Sequence, residues 1–283
     1  MKTAARQRLQ DEAGLMTSVS ITRNRLAMAA LLLGGVAIGG SPIFIRLSEV
    51  GPMATAFWRV FLALLPLFLM SRANGQPDGD APPAGLRDYA LLMLPGAFLA
   101  ADLVGWHLSV TMTSVANSTL LVNLTPIFVT LGSWILFRAR VTALFLTGLA
   151  MAIVGVVVLK GGPAAVGGGN IAGDGLAIVA AVFYAGYMIS LGRLRNRFAT
   201  SRIMIWTTLS ASIWILPVAF FWEGDIVPVT AYGWSIVIAL ALISQTAGQW
   251  LIVYALAYLP TSFSSLTLLL QPVVAALLAW TIL

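Results

Sequence analysis

ANSTLLVNLTPIFVTLGSWILF (116–137) is an apolar run long enough to cross a bilayer, with small and polar residues first, a proline in the middle and a tryptophan near its end. The same pattern returns in SFSSLTLLLQPVVAALLAWTIL (262–283). Ser118 falls on Ser264, Leu120 on Leu266, Leu124 on Leu270, Pro126 on Pro272 and Trp134 on Trp280, all at a spacing of 146 residues. Gly40 and Gly186 share that spacing. Apolar segments match one another easily, so the common register of Pro and Trp carries the argument. A self-match across half the chain, inside hydrophobic segments, predicts a membrane protein built from two repeats.

Composition reaches the same class independently. Hydrophobic residues make up 59% of the 283, and charged residues only 9%. A soluble domain carries about a quarter charged residues to cover its surface, so most of this exterior must face lipid. Cysteine is absent and there is one histidine, which removes disulfide frameworks, thiolate metal sites and paired-histidine sites. No cofactor is expected. The net charge of +6 does not point to nucleic acid, because the basic residues sit between the apolar runs, where they set membrane topology.

Residues 1–25 are polar and read as a disordered cytoplasmic tail. The apolar run at 26–45 is too long for the core of a secretory signal and is taken as the first spanning helix. Further runs lie near 53–71, 89–108, 115–137, 142–159, 175–192, 203–222, 232–254 and 261–283, predicting nine helices. The glycine-rich 161–175 segment separates a first repeat, 26–160, from a second, 175–283. No GK[ST] follows that segment, so a phosphate-binding loop is not supported.

Counting Lys and Arg by alternate loops tests this assignment. Lys2, Arg6, Arg8, Arg23, Arg25, Arg72, Arg87, Arg138, Arg140, Arg193, Arg195, Arg197 and Arg202 fall on the side of the N-terminus, against Arg46 and Lys160 on the other. The positive-inside rule then places the N-terminus in the cytoplasm. Five helices per repeat is an odd number, so the second repeat enters the membrane inverted, as in many secondary transporters. A partner for helix five would fall near 288–305, beyond Leu283. Either the protein has nine helices or a ten-helix protein is represented by a truncated chain, and the repeat favours the second expectation.

GGSPIFIRLSEVGPMATAFWRVFLALL (39–65), TSVANSTLLVNLTPIFVTLGSWILF (113–137) and YALAYLPTSFSSLTLLLQPVVAALLAW (254–280) resemble the EamA-type family of the drug/metabolite transporter superfamily. The resemblance runs from about residue 26 onward, and it implies an all-α bundle of two inverted five-helix repeats. Within the family the chain is most similar to bacterial exporters of aromatic amino acids. That implies a multi-pass inner-membrane transporter of phenylalanine, tyrosine and tryptophan. One departure is local: family members usually carry a Glu just after the fourth helix, where this chain has Phe137, Arg138, Ala139 and Arg140.

Polar residues inside apolar helices are costly and therefore candidate functional sites. Arg59 and Asp102 both fall roughly 10 Å below the outer boundary at 1.5 Å per residue. They read as a structural ion pair, or as a proton-coupling carboxylate beside an arginine that receives a substrate carboxylate. His107 reads as an interfacial hydrogen-bonding residue at the outer mouth. Trp106, one turn beyond Asp102, either lines the path or joins an aromatic belt. In helix four, Thr119, Asn123 and Pro126 share a face, with Asn117 apart. Pro126 leaves the carbonyl of residue 122 without its helical donor. Pro272, beside Gln271, repeats this in helix nine, and paired interruptions of this kind point to a binding site. Gln245 and Gln249 lie four apart in helix eight, near Ser244, Gly248 and Trp250. They bind a zwitterion or hold helices together. Tyr184, Gly186 and Tyr187 in helix six, and Gly39, Gly40, Ser41 and Pro42 in helix one, complete the set. Tyr254 joins Trp106, Tyr184, Tyr187 and Trp250 as candidates for ring contacts.

With one histidine, no cysteine and a single intramembrane acid, an enzyme has too little to build from. A sensor or scaffold would bring longer loops or a soluble domain. The reading is thus alternating-access export of a small amphipathic metabolite by a monomer, through facilitated diffusion. The rivals are proton coupling through Asp102 and a different substrate, such as a drug, a nucleotide sugar or another amino acid.

Overall fold

The computed structural model describes residues 22–73, 82–113, 118, 121–139, 141–159, 170–266, 269–274 and 277. Thr119, Asn117 and Trp280, the N-terminal tail to residue 21 and the glycine run 161–169 lie outside the described residues. Among the described residues, nine helical segments follow the nine apolar runs. They are α1 Thr22–Leu47, α2 Pro52–Ala73, α3 Leu86–Met112, α4 Thr125–Phe137, α5 Ala143–Leu159, α6 Ile171–Leu194, α7 Thr200–Glu223, α8 Ala231–Ala255 and α9 Thr261–Leu266. Six of them (α1, α2, α3, α6, α7 and α8) are long and apolar enough to cross a membrane. The chain is an all-helical multi-pass membrane protein.

Three helices depart from a continuous cylinder, and each departure has a local cause. In α1 the helix is interrupted at Gly40 and restarts at Ser41–Leu47 with Pro42 in its first turn, where a missing N–H is harmless. The run read as the first spanning helix is thus one span with a break at Gly40. In α4 the interruption falls at Asn123 and Leu124, so Pro126 sits in the first turn of Thr125–Phe137 and not at a kink inside a longer helix. The carbonyl expected to be orphaned is occupied, because the Thr125 hydroxyl donates to Val122 O at 2.7 Å. In α8, residues Ala241–Gln249 widen to i→i+5 hydrogen bonding, an uncommon geometry that often accompanies function.

The bundle centre is built from α2, α3, α6 and α7, with α3 packed on both α6 and α7 and α2 on α7. Lipid is as apolar as leucine, so close packing and not water exclusion must hold these helices. Gly96 of α3 lies against the Thr207–Ala211 backbone of α7, where a Cβ would collide with Thr207 O. Gly34 of α1 and Gly248 of α8 form a second close approach, with a Cβ on Gly34 falling 2.8 Å from Gly248 O. On the outside, Leu65, Leu136, Val154 and Phe220 are more than half exposed, as a lipid-facing surface requires.

One set of polar contacts between the halves lies at the two ends of the bundle. At one end Glu223, at the close of α7, accepts from Met53 N and Ala54 N at 2.8 Å each, satisfying the free N–H groups that begin α2. Glu49 does the same for Val229 N and Thr230 N ahead of α8, at 3.2 and 3.0 Å. Trp58 Nε1 donates to Ile226 O at 2.6 Å beside them. At the opposite end Arg197 makes a two-pronged ion pair with Asp88, both contacts at 2.7 Å, and within the second half Arg195 Nε donates to Val253 O at 3.1 Å.

Gly96→Ala is expected to lower the melting temperature in detergent sharply. Gly148→Ala, with nothing within 4 Å of the new Cβ, is expected to be neutral or to stabilise by about 0.5–1 kcal/mol through helix propensity. Paired thermal melts with size-exclusion chromatography measure the contrast.

Candidate functional site

The interruptions converge. Ile38, Gly39, Ser41, Pro42 and Ile45 around the α1 break meet Val122 and Asn123 at the α4 break, and Gln271 and Pro272 beyond α9, around a cavity of about 140 Å³. Arg59 of α2, Leu99, Asp102, Leu103 and Trp106 of α3, Tyr184 of α6 and Gln249 of α8 close its walls. Thus Ser41, Arg59, Asp102, Trp106, Asn123, Tyr184, Gln249, Gln271 and Pro272, all singled out from sequence, line one space. Pro126 is buried behind the α4 break.

Two of the candidates support this wall from behind. Gln245 accepts from Arg59 Nε at 3.2 Å and donates through its amide to Thr208 at 3.5 Å. Tyr187 donates its hydroxyl to Gln249 Oε1 at 3.1 Å, and its ring lies 5.4 Å from that of Tyr184. Ser41 and Ser244 share a 2.6 Å hydrogen bond that ties α1 to α8 beside the cavity. Trp250 does not line the cavity; its ring stacks on Tyr254 at 5.7 Å along α8.

The ion pair expected between Arg59 and Asp102 is not formed within 4 Å. Arg59 is 7% exposed and is held by Gln245, while Asp102 is 6% exposed with its Oδ1 unpartnered. The reason lies in α8, whose widened turns bring the Gln245 amide to the guanidinium. Trp106 Nε1 and Gln271 Nε2 are likewise buried without a partner. Asp102, Trp106 and Gln271 thus border the cavity beside Arg59 with one acceptor and two donors that have no partner among the described residues. A buried polar group with no partner is costly, so this set is suited to a ligand that carries both donors and acceptors.

His107 is buried, with Nδ1 2.5 Å from Leu103 O one turn back, so its hydrogen bond is made within its own helix. The residues that sequence reading missed are the apolar walls Ile38, Ile45, Leu99, Leu103 and Val122. Nothing distinguishes them in a chain this hydrophobic.

A family model for EamA-like transporters matches residues 25–160 and 171–283. An uncharacterized transporter, YxxF of Bacillus subtilis (strain 168), is 23% identical over 264 residues, covering 92% of this chain and 83% of that protein. A solved crystal structure shares the fold with a TM-score of 0.75 and 17% identity, over 92% of this chain and 88% of that one.

Gln245→Leu would strand the buried Arg59 Nε–H, at a cost of about 1–3 kcal/mol or more for a charged donor. Gln245→Glu keeps an acceptor there and is expected to fold. Thermal melts of the two variants in one detergent check the direction.

Proposed function

The chain belongs to the EamA-like transporter family, and from that premise we propose that it exports aromatic amino acids by alternating access. The observation that carries this reading is the cavity at the interrupted helices, where an aromatic wall meets unpartnered polar atoms. A volume of about 140 Å³ is close to the ~150 Å³ that admits a benzene ring. Trp106 and Tyr184 offer ring faces. Arg59 takes the substrate carboxylate, and Asp102 with the amide oxygens of Gln249 and Gln271 takes the ammonium. The interrupted helices meet at the repeat interface around this cavity, and one repeat rocks against the other about it.

The reading takes transport as facilitated diffusion, with Asp102 the one acid among the residues that line the cavity. The protein works as a monomer in a bacterial inner membrane with its N-terminus in the cytoplasm, on the strength of the basic-residue count. One observation favours a second reading. Asp102 is buried, lacks a salt bridge and leaves one oxygen without a partner, which suits a carboxyl group that exchanges a proton during transport.

Proteoliposome uptake of labelled phenylalanine and tryptophan, against alanine and glutamate, tests both. Uniport predicts saturable aromatic flux indifferent to a pH gradient, reduced about tenfold by Gln249→Ala or Trp106→Ala for each lost contact. Proton exchange predicts flux driven by the gradient and insensitive to it in Asp102→Asn. Absence of aromatic flux from folded protein would overturn the substrate assignment.

A further inference from the structure

A second concave feature lies on the lipid-facing side. Ile127, Leu131 and Trp134 of α4, with Leu146 and Leu149 of α5, wall an apolar groove of about 650 Å³ that has Arg138 at one end. Leu131, Trp134 and Leu146 are each about half exposed or more, so the groove opens to the membrane. The α4 residues recur at helical spacing along one face. From Ile127 to Arg138 the helix advances roughly 16 Å at 1.5 Å per residue, about half the hydrocarbon thickness of a bilayer. The groove thus reaches from headgroup level to the midplane, the depth of one leaflet.

Its polar end is built with care. α4 stops in a C-terminal turn in which Arg138 N donates to Trp134 O at 2.8 Å and Ala139 N to Ser133 O at 3.3 Å. The residue in the left-handed position is Arg138, with φ 52° and ψ 34°, where glycine is the usual choice. It is the one non-glycine residue with positive φ among the described residues. Among the described residues, no hydrogen bond or ion pair engages its guanidinium. Arg193, by contrast, is engaged over the adjacent Phe137 ring, 3.6 Å from its centroid. Trp134, one turn above Arg138, places an amphipathic ring at the depth where acyl chains meet headgroups.

We propose that this groove is a binding site for an anionic phospholipid, with an acyl chain along α4 and α5 and the headgroup phosphate on Arg138. The occupant follows from the match in length to one leaflet and from an uncompensated cation at the headgroup end. Arginine suits phosphate because its planar fork meets two oxygens. The site is separate from the transport cavity and does not depend on the identity of the substrate.

The test uses the purified chain in detergent with dioleoylphosphatidylglycerol, dioleoylphosphatidylcholine or soluble glycerol 3-phosphate, read by native mass spectrometry and thermal melting. Phosphatidylglycerol is expected to stay bound and raise the melting temperature, phosphatidylcholine to do so less, and glycerol 3-phosphate not at all. Arg138→Gly suits the left-handed backbone, so it should melt no lower without lipid while losing the preference for phosphatidylglycerol roughly fivefold. Arg138→Lys should retain that preference. Equal retention of the two lipids would overturn the proposal, as would an equal shift from the soluble phosphate or an unchanged preference in Arg138→Gly. The chain has no cysteine, so Leu131→Cys reports on this face alone. Efficient cross-linking between copies in liposomes would make it a self-association surface and sink the lipid site.

Discussion

A bilayer offers no water to a broken helix, so every backbone group released by an interruption must find a partner inside the protein. The α4 break meets this demand with the Thr125 hydroxyl on Val122 O. The α1 break meets it with tight turns, Gly40 N to Val36 O at 3.3 Å and Ile43 N to Gly40 O at 3.1 Å. In α8 the backbone keeps its hydrogen bonds by widening the turn. These three solutions sit side by side, and the cavity is the space they leave between them. The cavity and the cost of irregular backbone thus share one location.

Charge inside the bundle obeys the same logic. A lone guanidinium in hydrocarbon costs several kcal/mol, and here it rests on an amide that is itself anchored on Thr208. That neutral partner keeps Arg59 in place without cancelling its charge, so the cavity retains a positive wall. An ion pair with Asp102 would have neutralised both groups and left less for a ligand to meet. The arrangement favours recognition over stability, which is the usual exchange at sites where local rules are broken.

The fold was legible because lipid turns composition into architecture. Apolar runs of spanning length, a Pro and Trp register repeated at fixed spacing and the basic-residue bias each record a physical demand of the membrane. Polar residues in apolar helices were legible for the same reason: Arg59, Asp102, Asn123 and Gln249 stand out against leucine. Three features were not. Sequence depth brought Arg59 and Asp102 to one level but could not foresee that widened turns in α8 would move Gln245 between α2 and the cavity. Proline marked where helices α1 and α4 fail, yet the break falls two or three residues earlier, because proline is tolerated in a first turn and the residues before it are not. Apolar wall residues such as Leu99 carry no signal at all where most positions are apolar.

The two glutamates at one end of the bundle have a consequence for rates. Glu49 and Glu223 join the halves through backbone N–H groups at helix starts, contacts that water can replace nearly one for one. Parting such a joint exposes carboxylates and amides that hydrate at once, whereas parting an apolar seal costs free energy in proportion to its area. Were one repeat to move against the other, as the proposed alternating access requires, a joint of this kind would part quickly, because little apolar surface is uncovered.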